Sequence, residues 1–235
     1  MQLDVREAAR LLNIPEAKLH RWIRQGKLPA SKIQDQYHFN RAELLEWATA
    51  QRIPVSPELF RTPDQPVAAG GALADALRAG GIHGGVPGDD KFSVLEAVVA
   101  LMPLPQEVDR QFLLQLLLAR ESLASTGLGG GIAVPHARNP IVMHIVVPMI
   151  TLCFLREPIE FGALDGQPVH TLFTIISPTT MAHLNLLAKL AFALRQPAFA
   201  EAVARRVPAE ILREAEAAEH NLRPAQQGAV GQQER

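Results

Sequence analysis

The chain has 235 residues, 48% apolar and 20% charged, which suits one large or two modest packed domains and excludes a disordered polymer. Its formal net charge of -1 selects no partner for the whole chain, and a single cysteine, Cys153, excludes an intramolecular disulfide and points to a reducing compartment. The N-terminus has no apolar signal core, and the longest apolar run, near residues 145–155, is too short for a bilayer and contains Pro148; the expected location is the cytoplasm, without membrane insertion.

Charge is spread unevenly. Residues 1–53 hold nine basic and six acidic side chains, a net +3, against fourteen basic and eighteen acidic, a net −4, in the remainder. A basic head on an acidic body is expected where only the head meets nucleic acid. In the head, Asp4 with Glu7 reads as a capping box, and Val5, Ala8, Ala9 and Leu12 recur at helical spacing. Asn13-Ile14-Pro15-Glu16 restarts a helix where the missing N–H of Pro15 costs nothing; Leu19, Trp22 and Ile23 form its apolar stripe, and Gly26 stops it. Ser31-Lys32-Ile33 and Tyr37-His38-Phe39 flank a tight turn as a short hairpin, and Asn40 with Glu43 caps a last helix carrying Leu44, Leu45, Trp47 and Ala48.

This order of helix, turn, helix, wing and helix resembles the winged helix-turn-helix domains of the excisionase and MerR type over nearly all of residues 1–50. Val5–Leu12, His20–Pro29, Tyr37–Phe39 and Leu44–Trp47 carry the likeness. Lys18, Arg21 and Gln25 share a face away from the apolar stripe, where they could read base edges or phosphates in a major groove, with Lys27 and Lys32 on the DNA backbone. The same face can also be read as a solvated surface that meets a protein. Trp22 and Trp47 are read as core. One such head is small for tight specific binding, so the intact protein is expected to pair as a homodimer.

Pro54, Pro57, Pro63, Pro66, Gly70 and Gly71 interrupt any periodicity, so 54–71 reads as a linker to a body at 72–218, and the Gln- and Gly-rich end, 219–235, as a frayed tail. In the body, Leu73–Leu77 opens a helix, Ile82–Val86 is a strand, and Ser93–Met102 and Val108–Arg120 are helices. Ile145–Leu155 and Leu172–Ile176 read as buried strands, and Ala182–Leu194 and Phe199–Val203 as helices. The expected class is α/β, with a mixed central sheet flanked by helices. Cys153, inside an apolar run, is read as a small buried hydrophobe.

The chemistry-bearing stretch runs from Arg120 through the glycines at 129–131 to Ile132-Ala133-Val134-Pro135-His136. Proline cannot donate to a ladder, so it ends or edges the strand there and places His136 at a strand terminus, near the surface and on a rigid support, where another protein can reach it. This stretch, with Glu157–Val169 and Ala182–Leu190 following in order, resembles the enzyme IIA proteins of the phosphotransferase system of the fructose, mannitol and nitrogen-regulatory type, over about residues 73–217. The resemblance implies that His136 accepts a phosphoryl group from the histidine phosphocarrier protein, that Arg120 is the active-site arginine, and that His183 lies beside the acceptor. A guanidinium offers a planar fork to phosphoryl oxygens; by position alone, Arg120 could equally satisfy carbonyls at a helix end. Ser125 and Thr126 could donate to the phosphate or serve as caps, and the glycines could let backbone approach it. His83, His144, His170 and His220 match no role. No metal-ligand spacing and no nucleotide-binding glycine motif occur, so no metal or cofactor is expected.

Three functions fit. The first is a regulatory phosphoryl carrier whose phosphorylation on His136 is coupled to DNA binding or transcription. The second is a sugar-uptake component passing the group to an enzyme IIB. The third is an adaptor without chemistry.

Overall fold

The computed structural model describes residues 2–28, 30–33, 36–40, 44, 47–48, 51, 53, 72–137 and 145–222; the linker and the end of the chain from 223 lie outside them. The head comprises β1 (Gln2–Leu3), α1 (Val5–Leu11), α2 (Glu16–Arg24), β2 (Ser31–Ile33) and β3 (Gln36–Asn40). Asp4 caps α1 reciprocally: its carboxylate accepts the Glu7 N–H at 2.7 Å, and Glu7 accepts the Asp4 N–H at 3.1 Å. After α2, Gly26 takes φ +65°, the left-handed conformation that lets the chain turn toward the wing. The strands form an antiparallel sheet in the order β1-β3-β2. β1 is an addition to the sequence reading, since a two-residue strand is too short to show alternation. Beyond β3, Leu44, Trp47 and Ala48 are helical, and the proposed cap Asn40–Glu43 extends outside the described residues. Leu3, Ala8, Leu12, Leu19, Leu28, Phe39, Leu44 and Ala48 are buried.

The body runs through α3 (Leu73–Gly80), β4 (Ile82–Val86), α4 (Lys91–Leu101), α5 (Arg110–Leu123), β5 (Gly127–Gly129), β6 (Ile132–Ala133), β7 (Met149–Ile159), β8 (Val169–Ile176), α6 (Thr180–Ala193), α7 (Pro197–Arg205) and α8 (Pro208–Leu222). Its five strands lie in the order β4-β7-β8-β6-β5. The central pair, β7 and β8, is an antiparallel hairpin with Leu152 opposite Phe173 and Cys153 opposite Leu172. β4 joins β7 in parallel and β6 joins β8 in parallel, so the sheet is mixed.

Alternation along β7 and β8 sorts their side chains between two apolar layers. Ile150, Leu152, Phe154, Phe173 and Ile175 face Leu77, Leu186, Leu190, Phe199 and Ile211 from α3, α6, α7 and α8. Cys153, Leu155, Leu172 and Ile176 face Val94, Leu95, Val98, Leu113 and Leu117 from α4 and α5. Helices cover both faces, which is why these strands read as near-continuous apolar runs. Cys153 is 0% exposed, and burial alone pushes its thiol up to about 12. It is packing material.

Two boundaries differ from the sequence reading. β7 extends to Ile159, and the ladder shifts register between Phe154 and Ile159, where Pro158 has no N–H to donate. α8 is unannounced by the sequence and runs through Leu222, into the segment read as a tail. Its buried stripe is Ile211, Ala215 and Ala218, and alanines make a quiet periodic signal. Its end is anchored: Glu219 pairs with Lys189 of α6 at 2.8 Å and accepts the Leu73 N–H at 2.8 Å. Among the described residues, no helix is long and apolar enough to cross a membrane.

Candidate functional site

β6 lies against β8 with Ala133 opposite Leu172, and the chain continues alongside β8 until His136 stands opposite Ile175. The Ile175 N–H donates to the Pro135 carbonyl at 3.0 Å, so the residue before the histidine is fixed on the sheet. Against the expectation of a place near the surface, the His136 side chain is 3% exposed, because the chain runs on alongside β8 through Pro135; its Nδ1 lies 2.8 Å from the Val134 carbonyl oxygen. A carbonyl only accepts, so this contact requires the proton on Nδ1. In the neutral ring the lone pair then resides on Nε2.

His183 reaches the same place from another element. β8 ends at Ile176, and α6 begins four residues later, capped by Thr179, whose hydroxyl oxygen accepts the Ala182 N–H at 3.1 Å. In the first turns of α6, His183 is 3% exposed, and its ring centroid lies 4.9 Å from that of His136, with 37° between the planes. The short β8–α6 connection turns two sequence-distant histidines into neighbours.

Arg120, near the end of α5, is 8% exposed and donates from Nη1 to the Ala124 carbonyl at 2.9 Å. That is the carbonyl-satisfying geometry its position allowed. Beside it, the Glu121 carboxylate is buried. It accepts the Thr126 N–H at 3.1 and 3.2 Å and the Thr126 hydroxyl at 2.6 Å, and pairs with Lys91 Nζ at 3.3 Å. The Ser125 hydroxyl donates to the Phe161 carbonyl at 2.7 Å and accepts the Gly127 N–H at 3.1 Å. Both hydroxyl hydrogens are therefore committed within the protein, and in this state the two residues act as caps and braces.

The glycine turn is elsewhere. Gly129, Gly130 and Gly131 all have positive φ, and the Gly131 carbonyl accepts the N–H groups of His170 and Thr171 at the start of β8. His136 stands opposite Ile175, four residues along that strand, or about 13 Å away. The turn cannot cradle a phosphoryl group on His136. Its work is structural: Gly130 donates to Asp165 at 2.7 Å, and a Cβ on Gly131 would come within 2.2 Å of the His170 ring. Burial, and secondarily Arg206, holds the His170 pKa below its ordinary value.

Large apolar side chains are exposed next to the site's elements. Leu123 (68%) follows Arg120 on α5, Met181 (38%) precedes His183 on α6, and Val146 (83%) and Val147 (56%) precede β7, whose Met149 pairs with Ile176. The sequence reading did not single these out, because exposure of an apolar residue is invisible to periodicity. Lys91 was missed too, since no motif connects it to Glu121.

In the head, Lys18, Arg21, Gln25 and Lys27 are exposed, while of the apolar stripe Leu19 is fully buried and Trp22 and Ile23 are half-buried. Lys18 Nζ sits 4.9 Å from the Trp22 ring centre. Trp22 and Trp47 are half-buried rather than fully core, meeting edge to face at 5.2 Å, and the Trp47 indole N–H donates to the Lys27 carbonyl. Lys32 lies in β2, and its side chain falls outside the described residues. Among the described residues, no three His, Cys, Asp or Glu side chains gather as a metal would need.

The profile of the family described as phosphoenolpyruvate-dependent sugar phosphotransferase system, EIIA 2, matches residues 79–215, and a helix-turn-helix domain profile matches residues 3–52. A nitrogen regulatory protein of Pseudomonas aeruginosa is 43% identical over 110 residues, covering 45% of this chain and 69% of that protein. The fructose-specific EIIABC component of Bacillus subtilis is 34% identical over 104 residues, 43% of this chain but only 16% of that protein. Among solved structures, nitrogen regulatory protein IIA-Ntr from Neisseria meningitidis aligns with a TM-score of 0.51 at 29% identity, covering 59% of this chain and 98% of that one.

Proposed function

Since this chain belongs to the phosphotransferase-system EIIA 2 family, we propose that it is a regulatory phosphoryl carrier, accepting phosphate on His136 from the histidine phosphocarrier protein and coupling that state to a DNA-binding head. The observation that carries the reading is the His136 imidazole. It is held at a strand end by the Val134 carbonyl, has Nε2 as its nucleophilic nitrogen, and has His183 at 4.9 Å. In the transfer, the Nε2 lone pair forms a P–N bond as the donor's P–N bond breaks and its electron pair returns to the donor ring. A donor ring protonated on its far nitrogen leaves as neutral imidazole. His136 keeps its Nδ1–H and becomes a phosphoimidazolium, whose positive ring the Val134 carbonyl stabilises, so protons and charge balance. Leu123, Val146, Val147 and Met181, exposed on the elements that carry the site or just before them, are apolar side chains of the kind a protein donor would cover.

Incubation with phosphorylated histidine phosphocarrier protein, followed by intact mass and peptide mapping, tests the reading. One acid-labile phosphoryl group on His136 is expected; none, or one on another residue, would reject it.

Arg120 is proposed to pivot between the Ala124 carbonyl and the transferring oxygens. Arg120→Lys keeps the charge and loses the fork, so transfer should slow by about tenfold with little change in folding. Rapid-quench rates equal to the parent's would leave Arg120 a helix-end brace.

The head supports the regulatory half, with exposed Lys18, Arg21, Gln25 and Lys27 on a segment of net +3. The intact protein should bind duplex DNA with a steep salt dependence, and more weakly when phosphorylated, because the phosphoryl group brings roughly two negative charges, one of them offset by the positive ring, to the part of the chain after the head, of net −4. Charge attraction is screened beyond about 10 Å, so coupling requires the basic head to dock on the body. Fluorescence anisotropy of the two forms on promoter DNA measures it; identical curves would leave two independent modules, and no binding at low salt would favour the adaptor. The match to the Bacillus subtilis fructose component favours a second reading, delivery of the group to an enzyme IIB during sugar uptake. Transfer from the phosphorylated protein to a IIB domain would support it.

A further inference from the structure

We infer that Glu121, with Lys91 as its counter-ion, is the positioning residue for the acceptor imidazole; the inference rests on His136 being the acceptor. Four consecutive contacts carry it. Lys91 Nζ pairs with Glu121 at 3.3 Å. The Glu121 carboxylate holds Thr126 twice, through its N–H and, at 2.6 Å, its hydroxyl. The Thr126 carbonyl accepts the Val134 N–H at 3.1 Å. The Val134 carbonyl, 2.8 Å from His136 Nδ1, fixes the tautomer that leaves the lone pair on Nε2.

The two peptide groups of Thr126, and those of Val134, are separated by a saturated Cα, so the chain of contacts does not pass charge along. It passes position. The Thr126–Val134 contact lies at one end of β5 and β6, a ladder of only two residue pairs whose register shifts between them. So short a ladder has little stiffness of its own. Its anchor is a carboxylate with only 3% side-chain exposure, making charge-assisted bonds to a buried threonine. A carboxylate out of water is strongly disfavoured unless paired, and the Lys91 ammonium, 35% exposed at the side chain, compensates it from the solvent side. Removing the carboxylate should let Thr126 and Val134 relax, loosening the carbonyl that holds Nδ1–H. A second tautomer, with the proton on Nε2 and no nucleophile facing the donor, then becomes populated.

Glu121→Gln tests this, because the amide keeps the volume and one acceptor while losing the charge, the second acceptor and the ion pair. Two readouts are required in folded protein. In the unphosphorylated state, the ring-nitrogen chemical shifts of His136 should report one Nδ1–H tautomer in the parent and a mixture in the variant. In single-turnover transfer from phosphorylated histidine phosphocarrier protein, the rate at saturating donor should fall about tenfold while the half-saturating donor concentration stays unchanged. Thr126→Val removes only the 2.6 Å bond and should move both readouts the same way by a smaller amount; it decides the matter where Glu121→Gln does not fold. Folded variants with parental nitrogen shifts and rates would overturn the inference while leaving His136 as acceptor. Phosphorylation of the parent at another residue would instead defeat the acceptor reading, and the nitrogen shifts would still report whether Glu121 positions the ring.

Discussion

His136→Ala is expected to gain no phosphoryl group from the phosphorylated histidine phosphocarrier protein, a loss of at least about a thousandfold in transfer rate. The size of the effect follows from the chemistry: nothing else at residue 136 can form the P–N bond, and alanine leaves the bonds around the site without a nucleophile. His183 is the neighbour placed to take over, at 4.9 Å between centroids, but it comes from the first turns of α6. His136 is ordered by its own strand end, with Pro135 bonded to Ile175 and Val134 bonded to Nδ1. The fold should survive. The substitution removes the bond to the Val134 carbonyl, worth about 1 kcal/mol net, and leaves a small cavity. Intact mass after donor incubation, with circular dichroism as the folding control, reads the result; an alanine variant still phosphorylated at the parent's rate would move the acceptor elsewhere.

Gly80→Ala should destabilise the body by about 3 kcal/mol or more, beyond the usual range for one added methyl, because what it meets cannot rotate away. Gly80 ends α3 where that helix lies on β7. A Cβ built there would come within 2.3 Å of both the carbonyl carbon and oxygen of Ile150 and 2.7 Å of the Thr151 nitrogen. These are backbone atoms of a central strand, bonded on one side to β4 and on the other to β8. Either α3 lifts off the sheet, opening the layer around Leu77 and Ile150, or β7 bends and strains two ladders. Alanine would otherwise favour a helix, so the sign of the change separates the two influences. Chemical denaturation of parent and variant measures it, and equal midpoints would mean that α3 and β7 do not approach as closely as described.

Much of the organisation was legible locally. The Asp4–Glu7 capping box, the stop at Gly26, the strand at Ile82–Val86 and the apolar runs that became β7 and β8 each depend on residues close in sequence, through capping geometry, backbone freedom or a covered sheet's demand for apolar side chains. The Pro135–His136 pair likewise marked a strand end or edge, because proline cannot donate to a ladder, although its carbonyl still accepts the Ile175 N–H.

What only the tertiary structure decided depends on register and packing between distant segments. The glycine turn reads naturally as a phosphate cradle, yet the β6–β8 register puts it at one end of β8 and His136 at the other. Ser125 and Thr126 read as phosphate donors or caps, and the approach of Phe161 and Glu121 turned both hydroxyls inward. Lys91 and Glu121 meet only because α4 and α5 pack side by side beneath the sheet, and Gly80 is demanding only because Ile150 lies against it. In α8, alanines fill the buried stripe, so its pattern is silent until the neighbouring helices show what they cover. A sequence determines where chain can be helical, extended or turned through forces acting over a few residues; which of those pieces share a site is set by burial and strand pairing, whose partners no local pattern names.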